Sequence, residues 1–159
     1  MTVTIALNAD AIHQLDLSPA QAAIESWLTS GAIASRDQPV RFEIDYPREP
    51  TDPRELSEIP EIRLWFIRLD TVYPWLPYAL DWEGGELGRY VAMLVPHQFS
   101  TTEGVQYNPE ALEIFVMAKV FVLESWLQHQ GIAGRNKIKL MTKTLGYEID
   151  DAFFDLTGF

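Results

Sequence analysis

The chain has no cysteine. Disulfides, thiolate nucleophiles and cysteine-based zinc or iron–sulfur sites are therefore excluded. Positive charge is scarce: 12 Lys+Arg stand against 23 Asp+Glu, a formal net charge of −11. Phosphate binding needs clustered cations to displace counterions, so nucleic acid is a poor partner, and so is anionic lipid. A basic protein surface suits this charge better, although acidity also serves solubility alone. No run approaches the ~18 apolar residues of a membrane span.

Chemical motifs are missing as well. Gly84, Gly85 and Gly88 have neither dinucleotide-loop spacing nor the Lys-Ser/Thr of a nucleotide loop, and there is no Gly-x-Ser-x-Gly elbow. His13, His97 and His129 do not pair at helical metal spacing. A divalent site from His97, Glu103 and Asp45 is conceivable by residue type. Against it stands His97 as a strand-end residue bonded to backbone. Neither cofactor nor catalytic residue is implied.

The remaining composition is that of a folded protein. Hydrophobic residues make up 47% of the 159, with five Trp, six Tyr and eight Phe. One globular domain over 1–159 is expected. Residues 2–7 and 40–46 alternate as half-buried strands, and 62–69 (IRLWFIRL) and 90–95 read as inner strands. Ser18-Pro19-Ala20-Gln21 carries the signature of a capped helix start, with Gly31 as its stop. A second such start, at Asp52-Pro53, predicts a short helix ending near Pro60. Residues 96–107 read as a polar loop, 137–145 as an amphipathic helix. The expected fold class is α+β, with about four strands in a largely antiparallel sheet packed by helices.

The longest helix is predicted over 109–130 and mostly buried. Its wheel puts Glu110, Glu113, Met117, Glu124 and Gln128 on one wet stripe, with Lys119 opposite among apolar residues. A buried ammonium needs a carboxylate or must lose its proton. Lys119 is thus a candidate for a buried ion pair, or for a stem that snorkels to water.

Two segments are candidates for partner binding. Glu55 and Glu58 lie one turn apart on the short helix. Trp75, Tyr78 and Trp82 lie in a proline-held stretch that forms either a rigid anchor surface or a roof on the sheet.

The runs DPRELSEIPEIRLWFIRLD (52–70), YPWLPYALDW (73–82), MLVPHQF (93–99), EGVQYNPEALEIFVM (103–117) and GYEIDDAFFD (146–155) resemble the chlororespiratory reduction 6 family of cyanobacteria and chloroplasts. The resemblance covers about residue 40 to 155. It implies a soluble assembly factor of the photosynthetic NAD(P)H dehydrogenase-like complex, acting outside the finished complex on its iron–sulfur-carrying peripheral-arm subunit. It carries over no catalytic residue. With no transit peptide seen, a cyanobacterial-type cytoplasmic protein without stable membrane insertion is expected. The competing readings are a small enzyme with a carboxylate–His or carboxylate–Lys site, and a structural subunit of the complex.

Overall fold

Alternation of apolar and polar residues shapes the first strand, β1 (Val3–Asn8), whose Ile5 and Leu7 are buried while Thr4 and Ala6 face water. The computed structural model describes residues 2–35 and 39–158. The chain divides into two compact units, Met1–Leu94 and Val95–Phe159.

In the first unit, α1 (Ala9–His13) follows β1 directly, with the Asn8 side chain capping the Ala11 amide at 2.8 Å. The helix α2 (Ser18–Ser30) starts at the expected proline, but Ser18 is not its cap. Asp16 accepts the Ser18 amide at 2.9 Å instead. Gly31, at φ +74°, ends it in the left-handed conformation. After α3 (Ala32–Ser35), β2 (Val40–Asp45) pairs with β1 in parallel, Val3 opposite Val40 and Ile5 opposite Phe42.

The expected third and fourth strands are helices. Pro60 does not end a helix. It opens α4 (Pro60–Val72), following a single 3-10 turn at Leu56–Glu58. Ile62, Trp65, Phe66 and Leu69 bury one side of α4 at helical spacing. The segment read as apolar on both sides is a helix whose outer face is also apolar. Residues 90–95 likewise fall mostly in α5 (Glu86–Leu94), where Leu87, Tyr90 and Val91 face inward.

Phe42, Trp65, Phe66 and Tyr90 form the centre of this unit. Their rings meet edge to face at 5.0–6.2 Å, a geometry that adds about 0.5–1.5 kcal/mol per pair to the burial itself. The Trp65 indole donates to the Asp16 carbonyl at 2.8 Å, tying α4 to the start of α2.

The outer edge of β2 is closed in two ways. Leu80 bridges Val40, and the Asp81 amide donates to the Val40 carbonyl at 2.8 Å. Beyond it, Glu86 and Arg89 of α5 take both backbone groups of Phe42. The Glu86 carboxylate accepts the amide at 3.2 Å, and the Arg89 guanidinium donates to the carbonyl at 3.2 Å. Two side chains take the place of a neighbouring strand there.

In the second unit, the expected loop at 96–107 is a hairpin of β3 (His97–Ser100) and β4 (Gly104–Tyr107), paired antiparallel. The two pairs form separate sheets, so the α+β class holds while the single four-stranded sheet does not. Asn108 caps α6 (Pro109–Gln130) and Gly131 ends it. Two further helices follow, α7 (Arg135–Thr144) and α8 (Asp151–Thr157), the latter seated by the buried Phe154.

Candidate functional site

Glu55 and Glu58 are engaged with each other's backbone. They form a reciprocal capping box on the 3-10 turn, in which Glu58 accepts the Glu55 amide at 3.2 Å. Glu55 is exposed and Glu58 half-buried, so the turn presents carboxylates to water. The first turn of α4 adds Glu61, and all three acids lie where the helix dipole favours negative charge.

Beyond these acids, the outer face of α4 is unusually apolar. Leu64, Ile67 and Val72 are 50%, 43% and 46% exposed, with Arg68 and Thr71 between them. Reading the segment as a strand hides this face. At helical spacing, Leu64 and Ile67 are neighbours one turn apart. The unit that carries them contains no lysine, and its acidic residues outnumber its arginines about two to one.

The aromatic stretch falls on the other side of the choice posed above. Trp75 and Tyr78 are 8% and 2% exposed, and Trp75 packs on Tyr73 and Trp27. They roof the first unit's core, because their large apolar area is best satisfied there. Trp82 is half-buried, and its indole donates to the Pro77 carbonyl at 2.8 Å, which fixes its plane. Glu55, Glu58 and Trp82 therefore keep surface area open to a partner.

Lys119 is buried, 5% exposed, with its ammonium 5.4 Å from the Phe115 ring centroid. Glu124, on the same helix, is also buried and accepts the Thr157 hydroxyl at 3.0 Å. His97 begins β3, and its Nδ1 lies 2.9 Å from the Val95 carbonyl oxygen, a strand-end contact with backbone. No group of three or more metal-ligating side chains gathers among the described residues. Two depressions, of about 410 and 500 Å³, lie along α7 and the α6–α7 connection. Neither is lined by His97 or Lys119.

The positive charge of the second unit is concentrated. Arg135, Lys137, Lys139 and Lys143 all lie on α7, which has no acidic residue. Part of this charge is spent inside the unit. Arg135 pairs with Asp155 at 3.1 Å and Lys139 with Asp151 at 3.2 Å, while Arg135 also lies over the Phe154 ring. These pairs are well exposed, so they orient α8 more than they stabilise it.

Among the described residues, no helix is long and apolar enough to cross a membrane. No solved structure matches the chain. A protein-family model described as chlororespiratory reduction 6 matches residues 7–156, nearly the entire length. The chain therefore belongs to the chlororespiratory reduction 6 family.

Proposed function

We propose that this protein is a soluble, cytoplasmic assembly factor that binds the iron–sulfur-carrying peripheral-arm subunit of the photosynthetic NAD(P)H dehydrogenase-like complex during biogenesis. Family membership fits a role in building that complex. The observation that carries the binding reading is the juxtaposition on α4 of an acidic entry turn with an exposed apolar face. Exposed apolar side chains supply contact area, and a carboxylate rim steers a basic partner and fixes its register.

On this reading Glu55, Glu58 and Glu61 meet cationic residues of the subunit, Leu64 and Ile67 meet its apolar ones, and Trp82 adds an aromatic margin. Trp75 and Tyr78 act from beneath, holding the stretch rigid. With no thiol of its own, the protein shields or positions a cluster-bearing client without carrying the cluster.

The test is capture of the purified iron–sulfur-carrying subunit by immobilised protein. Wild type should retain it, less well as salt rises. Glu55→Lys/Glu58→Lys should capture it at least about tenfold less, as should Leu64→Ser/Ile67→Ser, with circular dichroism confirming the fold. Undiminished capture by both double variants would remove this surface from consideration.

A further inference from the structure

β1 has one edge in use and, among the described residues, one open. The Val3 amide donates to the Pro39 carbonyl at 2.8 Å, while Val40, opposite Val3, turns its carbonyl outward to Asp81. In a parallel pair this parity repeats every second residue. Val3, Ile5 and Leu7 thus bond to β2, and the amides and carbonyls of Thr4 and Ala6 point the other way. Both residues are exposed, and among the described residues neither has a hydrogen-bond partner on that side.

The contrast with β2 is sharp. Its outer edge is closed by Leu80 and Asp81, then by Glu86 and Arg89 on Phe42. β1 has none of the usual guards. Its sequence, VTIALN, holds no charge and no proline, and its register with β2 contains no bulge. An unguarded edge is a template for another strand.

The geometry points to β1 as a docking edge for an extended segment of a partner protein, added as a third strand beside Thr4 and Ala6. This rests on the binding role proposed above and supplies a second contact for the same client. Alternate residues of the incoming segment would lie beside Val3 and Ile5, so they should be apolar; Val3 is only half-buried, and such a neighbour would complete its cover. The intervening residues would emerge on the solvent face beside Thr4 and Ala6. On that face Arg41 stands opposite Thr4, Glu43 opposite Ala6 and Asp45 opposite Asn8. Beside Ala6 neutral or basic residues fit and acidic ones are repelled; beside Thr4, next to Arg41, charge selects little. Net charge argues against a second copy as occupant, since self-pairing brings together two chains of net charge −11.

Hydrogen exchange at single amides tests this in the wild-type protein. Alone, it should show slow exchange at Ile5 and Leu7 and fast exchange at Thr4 and Ala6. With saturating purified iron–sulfur-carrying subunit, the Thr4 and Ala6 amides should slow at least about tenfold. Ala6→Pro deletes one outward amide and leaves the bonds from Ile5 and Leu7 to β2 in place. It should reduce capture of the subunit about tenfold or more with an unchanged circular dichroism spectrum. If Ala6→Pro fails to fold, the wild-type exchange result decides. Capture with unchanged exchange at Thr4 and Ala6 overturns the edge and leaves the proposed function standing. Failure of wild type to bind the subunit overturns both. A dimer in sedimentation whose Thr4 and Ala6 amides are already slow overturns the edge in favour of self-pairing.

Discussion

Glu86 and Phe42, 44 residues apart in the chain, are joined at 3.2 Å by a carboxylate that accepts a strand amide. Glu86 is 5% exposed, so this bond closes a buried sheet edge and not a surface turn. Glu86→Leu keeps bulk but leaves the Phe42 amide without an acceptor. The expected loss is about 2–3 kcal/mol in urea denaturation, the cost of a stranded buried donor that had a charged partner. Glu86→Gln retains a carbonyl oxygen and should lose about 1 kcal/mol. The Arg89 pair adds little to the difference, since that side chain is 40% exposed. Equal losses in the two variants would show that charge, and not the amide bond, matters at this position.

Tyr90 makes the alkaline limit of the fold testable. Its hydroxyl donates to Asp70 at 2.7 Å from full burial. Burial first, then the Asp70 carboxylate, pushes the phenol well above its ordinary range. The unfolded phenol ionises near pH 10, so the folded state alone holds the proton above that value. Stability is unaffected below about pH 10 and falls as pH rises further. Burial also raises Tyr73 and Tyr107, in the same direction. Tyr90→Phe should therefore cost about 1.5–3 kcal/mol at pH 8 and visibly flatten the decline between pH 10 and 11.5. An unchanged slope in that variant would assign the alkaline loss to the other tyrosines.

What the sequence discloses and what it hides follow from contrast along the chain. Residues 40–45 are legible because Arg41, Glu43 and Asp45 interrupt Val40, Phe42 and Ile44 at every second position. IRLWFIRL misleads because Leu64 and Ile67 are apolar on the solvent side too, which erases the polar stripe that marks a helix. Ile62, Trp65, Phe66 and Leu69 still carry the helical spacing. The hairpin at 97–107 is illegible because its strands are four residues long and half exposed. In the candidate site, the grammar at Asp52-Pro53 marks a start that comes too early: Asp52 accepts the Arg54 amide at 3.0 Å, and the turn begins after Glu55. Trp75 and Tyr78 do not reveal their side, since aromatic residues serve core and surface alike. The role of Glu86 depends on a strand 44 residues away, which no local pattern encodes.

The long helix α6 offers the most direct check on which face is wet. The sequence wheel places Glu124 on the solvent stripe, while Ile114 and Phe121 fall just beside that stripe, within about 40° of Glu110. The folded helix is rotated from that reading: Glu124 is 6% exposed, Ile114 71% and Phe121 52%. Two neighbours account for this. Thr157 of α8 gives the Glu124 carboxylate a hydroxyl, and Phe153 lies 5.9 Å from the Phe121 ring, sharing its solvent margin. Ile114→Gln should then change stability by no more than about 0.5 kcal/mol, as an ordinary surface substitution does. Leu123→Ala, on the buried face, should cost about 2–5 kcal/mol through lost burial and the cavity it leaves. Urea denaturation of both variants separates the alternatives. Comparable losses would mean that the Ile114 face is covered in solution, whereas a loss confined to Leu123→Ala fixes the outward face of α6 as Ile114 and Phe121.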